Sequence, residues 1–322
     1  MTINWVLGGG GLLGAALLRA LRQLREEVYV PSVPFQWQDE LALAHQIKEA
    51  VAEFALLAGI HGKWRIFWAA GVGTMGASAT ILTAETLALS SLLAAVRRER
   101  NLREGLGQIM LASSAGAIYA GSDELWINEN STPAPTTPYA NAKLEQEALC
   151  SDFALATGQQ LLIARLSTLY GPGQSGSKPQ GLLANIARSI LRNQPARIFV
   201  PYDTVRDYLA ADDAAQAIIE TLALSFSLPL VVTKIFASGQ PVTIAEIIAT
   251  YKRLTRQQLR ILITSSPLSD LYKRRLAFRS VVPPISRLRA PHSLAVGIAR
   301  LIEWERSSLT STSLPSGFLK ND

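Results

Sequence analysis

The sequence predicts an α/β fold in which a doubly wound parallel sheet carries a smaller C-terminal α/β lobe. Short apolar runs alternate with longer helical stretches through the first half of the chain. Strands that are apolar on both faces are typical of parallel sheets, because each crossover covers a face with a helix. A second observation is the glycine-rich turn from Gly8 to Gly14, which lies between the first apolar run and the first helical stretch.

The elements follow in order along the chain. The apolar runs predict strands at Ile3 to Leu7, Val28 to Val30, Ile66 to Ala69, Ile109 to Ala112, Leu161 to Leu166 and Leu230 to Phe236. Helical composition predicts helices at Leu12 to Leu24, Glu40 to Leu57, Thr80 to Arg100, Tyr139 to Ala156 and Asp212 to Leu224. A ligand of such a sheet should lie at the carboxyl ends of the strands.

This order of elements predicts two interleaved lobes. The first lobe covers 1–172, and the second covers 173–322 after a Pro-, Gly- and Ser-rich loop. The chain is expected to return to the first lobe near 205–237. The stretch 307–322 is rich in Ser, Thr, Gly and Pro, which predicts a flexible tail.

Composition narrows the class of protein. The 322 residues are 48% hydrophobic and 17% charged, which is typical of a globular protein. No run of about 18 uninterrupted apolar residues occurs, so a membrane span is not expected. The single cysteine, Cys150, cannot form an internal disulfide, which favours a reducing compartment and a cytoplasmic location. The segment before Gly14 has no Lys or Arg, unlike a signal peptide.

The net charge of +6 has two interpretations, attraction of an anionic substrate and general solubility, and solubility accounts for most of it. Many basic residues lie in the second half, but no nucleic-acid-binding motif accompanies them, so no nucleic acid is expected as a partner. His45, His61, His292 and Cys150 are too scattered for the spacing of a zinc site, so no metal is expected.

The glycine turn is the first candidate for binding. Gly8, Gly11 and Gly14 have G-x-x-G-x-x-G spacing between a strand and a helix. Such a turn lets the backbone approach a pyrophosphate and directs the free N–H groups of the helix toward the negative charge. A flexible glycine hairpin is the alternative, and it fits the flanking strand and helix less well.

Tyr139 and Lys143 are the candidates for chemistry. Their four-residue spacing places the phenol and the ammonium on one face of a helix. A free tyrosine has a pKa near ~10, and a neighbouring cation should lower it and make the phenol a usable proton acceptor.

Six segments in order resemble one family. Besides the glycine turn and the Tyr139/Lys143 pair, these are Ile66 to Gly71, Ile109 to Ser114, Arg165 to Gly173, and Arg206-Asp207-Tyr208 followed by Asp212-Asp213. Together they resemble the extended short-chain dehydrogenases/reductases of the NAD-dependent epimerase/dehydratase type, which act on nucleotide sugars. The resemblance covers nearly the whole chain and implies a Rossmann-type sheet with a C-terminal substrate lobe, and often a homodimer formed by two packed helices.

The resemblance also assigns roles. Tyr139, Lys143 and Ser114 correspond to the catalytic residues, with Ser113 as an alternative source of the hydroxyl because Ala115 stands where the family's Ser or Thr is expected. Thr168, Arg206 and Ser114 correspond to substrate-binding residues, although Arg206 could instead form a surface pair with Asp207. The positions that correspond to NAD-binding residues are Gly8, Gly11, Leu12, Leu13, Gly14, Ala69, Ala70, Gly71, Ser113, Tyr139, Lys143 and Leu166.

Several departures restrict the chemistry. Gly116 and Ala117 stand where 4,6-dehydratases carry an Asp-Glu pair, and the Cys and His of epimerase-reductases have no counterparts in the expected positions. The resemblance therefore favours a nucleotide-sugar 4-epimerase or related sugar oxidoreductase. A ketoreductase or dehydrogenase, and a non-catalytic dinucleotide-binding regulator, remain alternatives. NAD is expected, with NADP not excluded, since the strand at Val28 to Val30 is followed neither by a nearby carboxylate nor by an Arg.

Overall fold

A computed structural model describes residues 1–173, 181–224, 229–264, 274–283 and 292–312. Its centre is a six-stranded sheet with the order β10-β5-β4-β3-β1-β2. These strands are β1 (Thr2–Leu7), β2 (Glu27–Tyr29), β3 (Lys63–Trp68), β4 (Leu106–Ser114), β5 (Gln160–Leu166) and β10 (Val231–Phe236), and every pair is parallel. The six strands predicted from the sequence are confirmed, with boundaries that differ by a few residues.

Helices cover both faces of this sheet. They are α1 (Leu12–Gln23), α2 (Glu40–His61), α3 (Ala79–Arg98), α4 (Arg100–Glu104), α5 (Ala115–Ile118), α6 (Pro138–Thr157) and α8 (Ala211–Leu224). On one face α1 packs against α8, and on the other α3 packs between α2 and α6. A buried apolar cluster lies on each face, so the predicted doubly wound α/β fold is confirmed.

The register brings strand ends together at one edge. Leu7 of β1 pairs with Trp68 of β3, and Ser114 of β4 pairs with Leu166 of β5. The turn after β1, the segment after β3 and the end of β4 therefore share the carboxyl edge of the sheet. This is the edge at which open α/β sheets bind ligands.

The rest of the chain forms smaller elements around a third apolar cluster. They are β6 (Thr168–Tyr170), α7 (Leu182–Leu191), β7 (Ala196–Ile198), β8 (Val205–Arg206), β9 (Tyr208–Ala210), β11 (Val242–Thr243), α9 (Ile244–Thr255), β12 (Ile261–Ile263) and α10 (Leu294–Thr312). Between 205 and 237 the chain supplies α8 and β10 to the main sheet. The division into a cofactor domain and a substrate lobe stays a prediction.

The predicted tail overlaps the end of the last helix. Helix α10 continues to Thr312, so residues 307–312 are helical. Ser307 and Ser308 donate their hydroxyls to the carbonyls of Glu303 and Trp304, which explains how serines are accommodated in this helix. Residues 313–322 lie outside the described part of the chain.

Helix α3 is long and apolar enough to cross a membrane, judged by length and composition alone, and it is the one such helix in the described ranges. Its most apolar window has a mean hydropathy of 1.6, and 44% of that window is buried. It packs against α2 and α6. Because core helices of soluble proteins share these features, α3 is weak evidence for a membrane span.

Candidate active site

The glycine turn is shaped by two close backbone approaches. Gly8 has φ +86°, and a Cβ placed there would lie 2.5 Å from the Ala69 carbonyl oxygen. A Cβ on Gly14 would lie 2.1 Å from the Gly8 carbonyl oxygen. Only glycine fits these two positions, because any side chain would separate β1, α1 and the end of β3.

The outer part of the turn is open. A Cβ on Gly10 would meet no atom within 4 Å. Gly11 is the N-cap residue of α1, has no side chain to cap it, and no acidic residue follows in the first turn. The first N–H groups of α1 lack intrahelical acceptors and are directed at this open space. The turn therefore fits a dinucleotide pyrophosphate.

The flanking positions contribute mainly backbone to this edge. Ala69 donates its N–H to the Leu7 carbonyl, and the Ala69–Ala70 peptide contacts Gly8. Leu13 is buried in the apolar cluster between α1 and α8, and Leu12 packs against the same cluster. Because their side chains face the core, Leu12 and Leu13 offer a ligand their N–H groups.

Helix α6 presents the Tyr139/Lys143 pair. It begins after Thr137, whose hydroxyl caps the helix by accepting the Ala140 N–H at 3.2 Å. The Lys143 Nζ lies 5.7 Å from the centre of the Tyr139 ring, so the two residues share a face as predicted. Lys143 is buried and donates to Gln146 Oε1 at 2.9 Å and to the Ala112 carbonyl at 3.4 Å.

The electrostatics of this pair differ from the prediction. The pKa of Tyr139 is raised to about 12, first by burial and then by the charge of Glu85, while the nearby Ser114 hydroxyl lowers it. The net shift of the Tyr139 pKa is therefore opposite in direction to the predicted lowering by Lys143, because burial outweighs the other effects. Burial also lowers the pKa of Lys143 itself, and Glu85 and Glu147 only partly offset that effect.

The two candidate serines have different partners. Ser113 is buried and donates its hydroxyl to Glu147 Oε1 at 2.6 Å. The Ser114 hydroxyl accepts the Ala117 N–H at 3.3 Å at the start of α5, and it lies close enough to Tyr139 to favour the phenolate and so lower the pKa of that phenol. The structure thus brings Ser114, and not Ser113, together with Tyr139.

A buried ionic network lies behind these residues, and the sequence analysis did not identify it. Arg165 of β5 donates to both carboxylate oxygens of Glu147, at 3.0 and 2.6 Å, and to the Tyr119 hydroxyl at 2.5 Å. The available signal was a charged residue inside the otherwise apolar run of β5. This network fixes Ser113 and α6 relative to the sheet.

The candidate substrate residues lie where β6 and β9 meet. Thr168 is exposed, pairs with Tyr208 and donates its N–H to the Asp207 carbonyl at 3.1 Å. Arg206 is largely buried and donates to the Val205 carbonyl at 2.8 Å. Asp207 is fully buried and accepts hydrogen bonds from Ser238 at 2.8 and 3.0 Å, so Arg206 and Asp207 are not a surface ion pair.

No group of three His, Cys, Asp or Glu side chains within the described ranges could hold a metal ion. Leu166 ends β5 beside Ser114, where its side chain packs into the cluster around α1 and α8. The remaining polar groups at this edge, from the glycine turn to Tyr139, match the arrangement expected of a dinucleotide-dependent enzyme.

Comparison with known families agrees with this geometry. Residues 5–227 match the model of the NAD dependent epimerase/dehydratase family. The chain belongs to this family. The family predicted from the ordered motifs is thereby confirmed, and NAD is the cofactor that its description names.

Individual relatives match over shorter segments. The chain is 35% identical to the dTDP-L-rhamnose 4-epimerase of Burkholderia thailandensis over 96 residues, which are 30% of this chain and 26% of that protein. It is 34% identical to the GDP-6-deoxy-D-mannose reductase of Pseudomonas aeruginosa over 126 residues, 37% of this chain and 40% of that protein. The match thus spans less than half the length of these two curated relatives.

Solved structures share the whole fold. The UDP-glucose 4-epimerase of Thermus thermophilus in complex with NAD superposes with a TM-score of 0.74 at 21% identity, over 96% of this chain and 100% of that one. RMD from Pseudomonas aeruginosa, complexed with NADPH, gives 0.75 at 21% identity, over 95% of this chain and 100% of that one. At this identity the likeness establishes the Rossmann-type fold of this family member.

Proposed function

We propose that this protein is an NAD(P)-dependent nucleotide-sugar 4-epimerase or a related sugar oxidoreductase, with Tyr139 as the acid/base. The observation that carries the proposal is the placement of Tyr139 beside Lys143 and close to the Ser114 hydroxyl. These groups lie at the same sheet edge as the open glycine turn, so a cofactor held by the turn can extend toward Tyr139.

Each residue of the site would have its own role in the reaction. Bound NAD supplies the hydride acceptor and donor for the sugar carbon. Tyr139 exchanges the proton of the sugar hydroxyl, and Ser114 orients the same oxygen. With a pKa of about 12, Tyr139 is protonated at neutral pH, which is the form that donates a proton to a carbonyl oxygen. Lys143 would hold the cofactor ribose.

Arg206 and Thr168 would recognise the substrate. A guanidinium pairs well with phosphate because its N–H groups can bond two oxygens at once. Arg206 lies two residues before Tyr208, the register partner of the exposed Thr168, so one ligand could contact both. The proposed substrate is therefore a sugar linked to a nucleoside diphosphate.

A ketoreductase or dehydrogenase is the second candidate. It is favoured by the 34% identity to a GDP-6-deoxy-D-mannose reductase, since that protein is a reductase within the same family. The two candidates differ in their use of cofactor: an epimerase leaves it unchanged over a full cycle, and a reductase consumes it. A non-catalytic regulator would bind the dinucleotide without turnover.

We also propose a cytoplasmic homodimer. Helix α3 leaves Ile81 and Leu87 exposed and packs beside α6, which leaves Leu155 70% exposed. Two copies could bury these side chains in a bundle of four helices. Light scattering tests the homodimer by measuring the molar masses of the wild type and of Leu87→Glu. A monomeric wild-type protein contradicts this proposal.

The function is tested first by identifying the cofactor that the purified protein carries. Denaturation followed by chromatography and mass spectrometry should release near-stoichiometric NAD from an epimerase. The protein is then incubated with UDP-glucose, UDP-galactose and UDP-glucuronic acid, and the stereochemistry at C4 is followed by NMR. Reversible binding of added NADPH with oxidation by a keto sugar indicates a reductase, and failure to bind either dinucleotide contradicts the proposal.

A further inference from the structure

Glu85 of α3 is a carboxylate for which the resemblance assigned no role. It is half-buried, and its Oε1 accepts the N–H groups of Val72 and Gly73, both at 2.5 Å. These two residues follow β3 at the carboxyl edge of the sheet. The carboxylate thus joins α3 to the loop that begins with the candidate cofactor residue Gly71.

Two glycines allow the loop after β3 to approach this carboxylate closely. A Cβ on Gly71 would lie 3.1 Å from Glu85 Oε2, and one on Gly73 would lie 3.2 Å from Glu85 Oε1. Gly71 also has φ +149°, a conformation that residues with a side chain rarely adopt. Glycine at both positions therefore allows the backbone to close on Glu85.

A neighbouring contact holds α3 against α6, the helix that carries Tyr139 and Lys143. Gln146 of α6 donates to the Thr86 hydroxyl at 3.3 Å and accepts from Lys143 at 2.9 Å. Because Thr86 adjoins Glu85 in sequence, this chain of bonds fixes the position of Glu85 relative to Lys143. The negative charge of Glu85 acts on both Tyr139 and Lys143.

We propose that Glu85 is a positioning residue of this active site, which fixes the Gly71–Gly73 loop for the cofactor and holds a negative charge on the side of the site that carries Tyr139 and Lys143. This inference rests on the proposed function of the same site. Glu85 acts through the loop and through its charge, without contact with the reacting atoms.

The charged and polar groups around the pair come from three elements. Glu85 of α3 and Ser114 of β4 act on Tyr139 in opposite directions, the first favouring the phenol and the second the phenolate. Lys143 is influenced by Glu85 and, from its own helix, by Glu147 and Cys150. Since Glu147 is already paired with Arg165, Glu85 is the carboxylate whose removal should change Tyr139 most.

Two substitutions separate the two roles. Glu85→Gln keeps an acceptor for the loop and removes the charge, so the ionisation of Tyr139 should move down by about one pH unit. Glu85→Asp keeps the charge and shortens the reach to the loop, so NAD should bind more weakly while the ionisation of Tyr139 stays close to that of the wild type. Glu145→Gln is the matched control, because Glu145 is an exposed carboxylate on the helix that carries Tyr139.

Tyr139 ionisation is measured as tyrosinate absorbance, taking the difference between each protein and the same protein with Tyr139→Phe. NAD affinity is measured by calorimetry, and the pH profile of turnover is recorded where turnover exists. We expect a lower midpoint of Tyr139 ionisation in Glu85→Gln and weaker NAD binding in Glu85→Asp. Neither quantity should change in Glu145→Gln. The inference is overturned if the Glu85 variants only lose thermal stability, with midpoint and NAD affinity equal to those of the wild type.

These readouts also separate the inference from the proposed function. A shifted Tyr139 midpoint and altered NAD binding, without conversion of any sugar nucleotide, support the role of Glu85 and contradict the sugar substrate. The opposite outcome is also informative. If the protein converts a sugar nucleotide, and neither Glu85 variant changes the pH profile of turnover, the midpoint of Tyr139 ionisation or the NAD affinity, the proposed function is supported and the inference is overturned.

Discussion

The hydroxyl of Ser113 donates to Glu147 at 2.6 Å, and this bond separates the roles of two adjacent serines. Glu147 is buried and also accepts two bonds from Arg165, so Ser113 belongs to a closed polar network. The Ser114 hydroxyl lies outside this network and close to Tyr139. The geometry thus favours Ser114 as the hydroxyl that meets a substrate.

The serines should respond differently to alanine substitution. Ser114→Ala should reduce turnover strongly, since it removes the hydroxyl beside Tyr139, and should lower the free energy of unfolding by about 1 kcal/mol at most through loss of the α5 cap. Ser113→Ala should lower the free energy of unfolding by about 1–3 kcal/mol, because a buried carboxylate loses a donor. Urea unfolding and initial rates measure the two effects, and the reverse assignment would exchange the two phenotypes.

Breaking the Arg165–Glu147 pair should destabilise the protein more than any surface substitution. Arg165→Met leaves Glu147 buried without its cation and should cost about 3–5 kcal/mol. The double variant Arg165→Met/Glu147→Leu should recover much of this loss, because it removes the uncompensated charge. Arg100→Met, which breaks an exposed pair with Glu104, serves as the control and should have little effect.

Two glycines of the turn should have separate effects. Gly14→Ala places a Cβ 2.1 Å from the Gly8 carbonyl oxygen, so it should destabilise the fold by about 1–3 kcal/mol. Gly10→Ala meets no protein atom within 4 Å and should preserve stability, yet weaken NAD binding by roughly ten-fold because its methyl group enters the open space of the turn. Thermal unfolding and calorimetry distinguish them, and equal NAD affinity for Gly10→Ala and the wild type would argue against the pyrophosphate site.

Tyr139→Phe should abolish most of the reaction. Loss of the acid/base hydroxyl should reduce turnover by about 10²–10⁴-fold with little change in NAD affinity. Tyr202→Phe is the control, because the Tyr202 side chain is 41% exposed. Turnover of Tyr139→Phe close to the wild-type rate would exclude Tyr139 as the acid/base.

Stability should fall in alkaline solution. The pKa values of Tyr170 and Tyr208 are raised to about 12 by burial, above the ordinary value of 10.0. As the pH rises through 10, the unfolded state releases these protons while the folded state keeps them. The associated stability is therefore complete below pH 10, is lost progressively up to about pH 12, and amounts to about 3 kcal/mol per group. Urea unfolding between pH 8 and pH 11 measures the loss, and Tyr208→Phe should make it shallower.

Much of the fold could be predicted from local patterns in the sequence. The apolar run of β1, the glycine turn and the alanine- and leucine-rich start of α1 each have a local physical cause, namely burial, backbone freedom and helix propensity. The same holds for the shared face of Tyr139 and Lys143, because four residues make about one helical turn. The ordered motifs were sufficient to identify the family.

Composition alone does not show where the last helix ends. The Ser- and Thr-rich composition of 307–322 predicts a flexible tail, whereas α10 extends into this stretch as far as Thr312. Hydroxyl bonds to carbonyls four residues earlier satisfy Ser307 and Ser308 within the helix. Local composition does not reveal this, because these hydroxyl bonds form only in a helix, and α10 as a whole packs against α7 and α9.

The sequence by itself determined the fold class, the glycine turn and the pairing of Tyr139 with Lys143, since each depends on residues close together in the chain. Only the tertiary structure decided the proton affinity of Tyr139, which depends on burial and on Glu85 from another helix. It also decided which serine faces Tyr139, through a contact between residues 34 positions apart. Desolvation and charge act across space, and a linear pattern does not encode the distances on which they depend.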